Sequence, residues 1–211
     1  MKKTLKNMLQ SKRMTRIVGA YDALSGLLVQ QAGFDAIWGS GFCVSASHGL
    51  PDANIIGCDT VIKSYADIAR ATDIPVIADC DTGYGNFHNV IYATRELERH
   101  NIKGICIEDK VYPKINSLFP GVTHMLDSPE NFVNKIKAAA DARKNSDFCI
   151  IARTEALVAG FNIDEVLYRA DLYRCAGADA IIIHSRESDV GKILKVFEIW
   201  DGRLPLIAIP T

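Results

Sequence analysis

Val76-Ile77-Ala78-Asp79-Cys80-Asp81-Thr82-Gly83-Tyr84-Gly85-Asn86 decides the fold. A short, uninterrupted apolar run ends in two aspartates and then in a glycine-rich turn. A strand with one wet face would alternate apolar and polar residues, whereas an unbroken apolar run belongs to a strand buried on both faces, as in a parallel sheet. Six further runs have this character: Ile17–Ala20, Ala36–Gly39, Ile105–Glu108, Cys149–Arg153, Ala180–His184 and Leu206–Ile209.

Amphipathic helical patterns lie between them. Leu24, Leu27, Leu28 and Gln31 share one helical face, with Gly33 as a stop; Val61, Tyr65, Ile68 and Ala69 repeat the spacing, as do Val90, Ala93, Thr94 and Leu97. Ser128-Pro129-Glu130 starts a helix that carries Phe132, Ile136 and Ala139. Asn162 and Glu165 form a capping-box pattern before Val166, Leu167 and Ala170, and Ile193, Phe197 and Trp200 mark one more helix. Strand–helix alternation without hairpins predicts an α/β fold, a (β/α)8 TIM-type barrel. A full barrel takes about 250 residues, and this chain of 211 residues reaches its end with the seventh strand. The expectation is therefore one domain over 1–211, truncated after the seventh strand, with a basic leading helix at about 1–15. The stretches 41–59 and 109–127 are read as long loops, which in barrels carry function.

Composition narrows the function classes. Net charge is −1 and 48% of residues are hydrophobic, so nothing asks for nucleic acid or a membrane surface. The six cysteines lack C-x-x-C spacing and several sit in apolar runs, which predicts reduced, mostly buried thiols and a cytoplasmic protein.

Chemistry in a parallel barrel gathers at the carboxyl ends of the strands. Those ends read Trp38-Gly39-Ser40-Gly41, Asp79-Cys80-Asp81, Glu108-Asp109-Lys110, Arg153-Thr154-Glu155 and His184-Ser185. Asp79, Asp81 and Glu108 make an oxygen-rich pocket suited to a hard cation such as Mg²⁺. Arg153 and His184 would hold an anionic substrate beside it. Each residue also has a plainer reading: Trp38 as core, His184 as a barrel-mouth histidine, His48 as a loop-ordering residue, Asp109 and Lys110 as an ion pair, Tyr84 and Lys114 as solvated side chains. The Gly83–Gly85 stretch reads as a turn whose N–H groups could also face an anion.

Four blocks in order, Trp38–Gly41, Ser47-His48-Gly49-Leu50-Pro51-Asp52-Ala53-Asn54, Asp79–Gly85 and Glu108-Asp109-Lys110, resemble the phosphoenolpyruvate mutase/isocitrate lyase superfamily from about residue 16 to the end. The block Glu108-Asp109-Lys110, five residues, then Asn116-Ser117 resembles the mutase signature. The lyases carry K-[KR]-C-G-H there, and this loop lacks the cysteine acid/base. The related phosphonopyruvate hydrolases tend to have Thr where Asn116 stands.

The resemblance implies interconversion of phosphoenolpyruvate and 3-phosphonopyruvate, with Mg²⁺ bound directly by Asp79 and through water by Asp81 and Glu108. It places Trp38, Ser40, Gly41 and Phe42 around the substrate; Phe42 stands where Leu is commoner. It puts Asp52 near the reacting centre, Lys114, Asn116 and Ser117 on a gating loop, and Arg153 and His184 on the phosphoryl group. It also implies a homotetramer built by exchange of final helices that this chain does not contain. The competing expectations are a phosphonopyruvate hydrolase, an oxaloacetate-type hydrolase or decarboxylase, and an inactive truncated barrel with apolar edges at strands one and seven.

Overall fold

The apolar runs become seven strands: β1 Ile17–Ala20, β2 Ala36–Gly39, β3 Val76–Asp79, β4 Gly104–Glu108, β5 Cys149–Thr154, β6 Ala180–Ile183 and β7 Leu206–Ala208. They form one parallel sheet in sequence order in a computed structural model that describes residues 4–209. Eight helices accompany them among the described residues: α1 Leu5–Leu9, α2 Ala23–Gln31, α3 Gly41–Ser47, α4 Cys58–Ala71, α5 Phe87–Arg99, α6 Pro129–Ala142, α7 Ile163–Cys175 and α8 Gly191–Trp200.

Strand side chains alternate between two apolar environments. Ile37, Val76, Ala78, Ile105, Ile107, Ile150, Ala152, Ile181 and Ile183 pack outward, in the core formed with the helices. Ala36, Ile77, Cys106, Cys149, Ile151, Ala180 and Ile182 pack inward, around Leu5 of α1. Both faces are dry, which is why the runs are unbroken. Fully burying one such aliphatic side chain contributes about 1.5–3 kcal/mol. Gly104 shares the inward face and makes room for Leu5, since a Cβ there would lie 3.2 Å from Leu5 and 2.9 Å from the Cys149 carbonyl.

β1 pairs only with β2, and β7 only with β6. The sheet curls until its two edges face one space: Ile17 and Gly19 line a cavity of about 240 Å³ together with Trp38, Ile182, Ile207 and Ile209. Seven strands without ring closure match the expected architecture. No described helix is long and apolar enough to cross a membrane.

Four sequence readings need correction. The leading helix spans Leu5–Leu9, not about 1–15, and residues 1–3 lie outside the described part. The Ser11 hydroxyl donates to the carbonyls of Met8 and Arg13, which turns the chain out of the helix. On α2 the buried positions are Gly26 and Val29, while Leu24 and Leu28 are 66% and 57% exposed. The reason is close approach: a Cβ on Gly26 would lie 2.8 Å from Ile68 of α4, so the glycine side is the contact side. The stretch 41–59 contains α3, capped by the Ser40 hydroxyl, which accepts from the Cys43 N–H. Of the cysteines, Cys80, Cys106 and Cys149 are buried, Cys43 and Cys58 are half-buried, and Cys175 is exposed, all as free thiols.

Candidate active site

The inward register delivers the site. Two residues beyond Ile77, Cys106, Ile151 and Ile182 stand Asp79, Glu108, Arg153 and His184. Glu108 is register partner of Arg153. The sequence-predicted acids, Arg and His thus converge at the mouth because each continues the face that fills the barrel.

Asp79 is anchored from behind. The Tyr65 hydroxyl donates to its carbonyl at 2.9 Å, and Gly39 leaves room for that ring, since a Cβ there would come within 2.6 Å of it. Asp81 adopts a left-handed backbone (φ 50°), as does Tyr84, in a turn closed by the Gly83 N–H to the Cys80 carbonyl at 2.8 Å. The Asn54 amide donates to Asp81 Oδ2 at 2.7 Å. Buried Glu108 Oε1 has no hydrogen-bond partner, with Lys110 Nζ no nearer than 3.6 Å, whereas Asp81 Oδ1 is met by the Lys114 ammonium at 2.9 Å. Burial, opposed by Arg153 and Lys114 and reinforced by Glu108 and Asp52, raises the pKa of Asp79. Burial pushes Asp81 up to about 7; Lys114 opposes this, and Asp79, Glu108 and Asp52 add to it.

These features fit a cation. The unpartnered oxygen of Glu108 and the mutual repulsion of Asp79, Asp81 and Glu108 are relieved by a divalent ion with oxygen preference. Among the described residues, no three His, Cys, Asp or Glu side chains converge closely enough to ligate one ion together.

The loop 109–127 lies across this pocket, pinned at its base by an antiparallel bridge between Lys110 and Leu126. Lys114 is buried: its Nζ donates to Asp52 Oδ1 at 2.6 Å and lies 2.9 Å from Asp81 Oδ1. Burial works against that ammonium, but Asp81, Glu108, Asp79 and Asp52 more than reverse the effect and raise its pKa above the ordinary lysine value. The Asn116 amide donates to Asp52 Oδ2 at 2.7 Å, and its backbone N–H donates to the Asp52 carbonyl at 3.1 Å. The Lys114 N–H donates to Asn54 Oδ1 at 2.7 Å. Asn54 thus ties Asp81 to the loop, a link that sequence reasoning missed although Asn54 stands in a quoted block.

Opposite the acids, Arg153 Nε lies 3.3 Å from Glu108 Oε2, and Arg153 Nη2 lies 2.8 Å from His184 Nδ1. Glu155, fully buried, touches both Arg153 and His184 and accepts from the Ser117 hydroxyl at 2.6 Å. Lys110 Nζ donates to Ser117 Oγ at 2.5 Å. Glu155 was assigned no role from sequence, yet it shares strand parity with Arg153, and that signal was available.

The remaining predicted residues divide. Gly41 sits beside the acids, with its Cβ position 3.7 Å from Asp81 Oδ1 and 3.9 Å from Asp79 Oδ2. Ser40 is buried and caps α3. Phe42 is 55% exposed. Trp38 packs with the inner core and lines the gap between β1 and β7. His48 caps the end of α3, Nδ1 at 2.9 Å from the Val44 carbonyl. Asp109 and Lys110 do not pair: successive residues of extended chain point opposite ways. Asp109 faces outward to Arg169, Tyr173 and Thr154, and Lys110 faces inward to Ser117. Lys114 is not solvated.

The phosphoenolpyruvate phosphomutase family model matches residues 5–211. The chain belongs to that family. A phosphoenolpyruvate phosphomutase of Tetrahymena pyriformis is 42% identical over 207 residues, 98% of this chain and 69% of that protein. The crystal structure of a phosphoenolpyruvate phosphomutase from Streptomyces platensis subsp. rosaceus superposes with a TM-score of 0.95 at 42% identity, covering 98% of this chain and 72% of the other. A phosphonopyruvate hydrolase solved in complex with oxalate and Mg²⁺ superposes with a TM-score of 0.91, also at 42% identity, covering 98% and 71%. The chain thus spans about seven tenths of these phosphomutase-family relatives, and identity alone does not separate mutase from hydrolase.

Proposed function

We propose that this chain interconverts phosphoenolpyruvate and 3-phosphonopyruvate with Mg²⁺, and that the residues at the mouth divide the work. The observation that carries the reading is the loop laid over the acid pocket, with Lys114 and Asn116 both bonded to Asp52. A phosphoryl group moving between O2 and C3 of a pyruvate enolate needs positioning, charge stabilisation and the absence of water. A loop sealed by buried bonds supplies the last of these, since water would divert transfer into hydrolysis.

Asp79 would hold the metal directly, with Asp81 and Glu108 holding its waters. The metal, when bound, would neutralise charge on the carboxylate and enolate oxygens of the three-carbon unit. The hydrolase neighbour's complex with oxalate and Mg²⁺ supports this. The Ser40 hydroxyl and the N–H groups of Gly41 and Phe42 would orient the pyruvate end. Arg153 and His184 would hold the migrating phosphoryl group from the far side, and Lys114 and Asn116 would follow it as it moves. The loop offers no thiol for proton transfer, which weighs against lyase chemistry. The hydrolase remains the second reading, favoured by the equal identity of the two solved neighbours.

The test is phosphonopyruvate turnover with and without Mg²⁺, in the native chain and in Asp79→Ala. The proposal expects metal-dependent loss of phosphonopyruvate that Asp79→Ala abolishes. Undiminished turnover in that variant would overturn the metal assignment.

A further inference from the structure

Glu155 stands between two groups already described and belongs to neither. Its Oε2 accepts from the Ser117 hydroxyl on the loop at 2.6 Å, with Lys110 Nζ at 3.4 Å. Its Oε1 faces Arg153 Nε and, at 2.8 Å, His184 Nδ1. The side chain has no exposure to water.

His184 Nδ1 therefore faces two claimants at the same 2.8 Å, Glu155 Oε1 and Arg153 Nη2. It cannot satisfy both. A guanidinium only donates, so it needs a bare Nδ1; an ionised carboxylate only accepts, so it needs Nδ1–H. Burial works against the ionised form of Glu155, but Arg153, His184 and Lys110 outweigh it and hold the carboxyl well below the usual range. Ionised Glu155 has no proton to give, so the proton between the two must sit on Nδ1. Nε2 is then the nitrogen left for the ligand, and a ring carrying both protons serves the carboxylate and a phosphoryl oxygen at once. Arg153 is held through Nε to the same Oε1, which leaves its other donors to turn toward that oxygen.

We propose that Glu155 is a positioning residue that locks the loop to the phosphoryl-binding pair. Oε1 fixes His184 in the Nδ1–H form and sets the plane of Arg153. Oε2 receives Ser117 only when the loop is down. Closure of the loop and alignment of the pair then become one event. This inference rests on the assignment of Arg153 and His184 to the migrating group.

The experiment is long-range ¹H–¹⁵N NMR on protein with ¹⁵N-labelled histidine, in the native chain, in Glu155→Gln and in Ser117→Ala. His184→Asn identifies the His184 signals among the five histidines. In the native protein Nδ1 of His184 should be protonated. In Glu155→Gln the carboxylate is gone, Arg153 Nη2 becomes the stronger partner, and the ring should shift to the Nε2–H form. Phosphonopyruvate turnover in that variant should fall about 10²-fold in kcat, the scale of a misaligned reacting group, with KM changed far less. Ser117→Ala should keep the native tautomer but speed hydrogen exchange at the Asn116 amide. A bare Nδ1 in the native protein overturns the tautomer half, and that measurement needs no folded variant. An unchanged tautomer in Glu155→Gln also overturns it. Unchanged exchange in Ser117→Ala overturns the lock. If the native chain turns over no phosphonopyruvate, the functional reading fails while the NMR result still decides what Glu155 does.

Discussion

Replacing Lys114 by Met should open the loop without unfolding the barrel. The ammonium lies 2.6 Å from Asp52 Oδ1 and 2.9 Å from Asp81 Oδ1. Without it, Asp52 keeps only the Asn116 donors and Asp81 keeps only the Asn54 amide among its side-chain partners described above. Removing one partner of a buried ion pair costs about 3–5 kcal/mol, because the remaining charge stays buried and uncompensated. The loop can relieve that cost by lifting and admitting water, which the strands beneath it cannot do. The penalty should therefore appear as local opening. At about 1.4 kcal/mol per decade, amide exchange at position 114, bonded to Asn54, and at Asn116, bonded to the Asp52 carbonyl, should accelerate by roughly two to three and a half orders of magnitude. The thermal midpoint should move by less than about 3 °C, since about 1 kcal/mol corresponds to 2–4 °C in a domain of this size. Hydrogen exchange read by mass spectrometry or NMR measures both. Unchanged protection at Asn116 would refute the reasoning. So would an equal loss of protection in β4 and β5, which would make the loop part of the global unfolding unit.

Tyr173→Phe removes a 2.7 Å bond to Asp109 Oδ2 and a contact with Arg169 inside a buried network; it should cost about 1–2 kcal/mol, seen as a midpoint about 2–8 °C lower. Gly39→Ala forces a methyl group against the Tyr65 ring and should cost about 1–3 kcal/mol by overpacking, with a shifted Tyr65 signal as the local marker. Asp81 titrates at about 7 in the folded chain against 3.8 for the free side chain, so the metal-free fold binds the extra proton between those values. Its stability should fall as pH rises from about 4 to about 7 and level off above, and Asp81→Asn should flatten that slope in denaturant titrations. For the same reason Mg²⁺ binding below pH 7 should release a proton, measured by calorimetry in buffers of different ionisation enthalpy, and the release should fade by about pH 8.5.

What was legible in the sequence followed from short-range order. Unbroken apolar runs identified strands dry on both faces, and all seven lie within about a residue of where they were read. The polar residue ending each run on the inward parity, Asp79, Glu108, Arg153 and His184, reached the mouth. What was not legible depended on distance or on absence. The Lys114–Asp52 bond joins residues 62 positions apart, and no periodicity encodes it. On α2 the packing contact is made by Gly26, which hydrophobicity counts as nothing, whereas the apolar pattern marks Leu24 and Leu28. Helix α3 is short and made of small residues after a Ser cap, which resembles a loop. The opposed directions of Asp109 and Lys110 follow from strand alternation, which outweighs the adjacency of an acid and a base.

A site closed to water should pass the phosphoryl group from carbon to oxygen without releasing it. In a ³¹P NMR time course of the chain with phosphonopyruvate and Mg²⁺, the phosphonate signal should be replaced by that of phosphoenolpyruvate, with no inorganic phosphate. Inorganic phosphate appearing in its place would make the chain a hydrolase, and an unchanged phosphonate signal would rule out the proposed substrate.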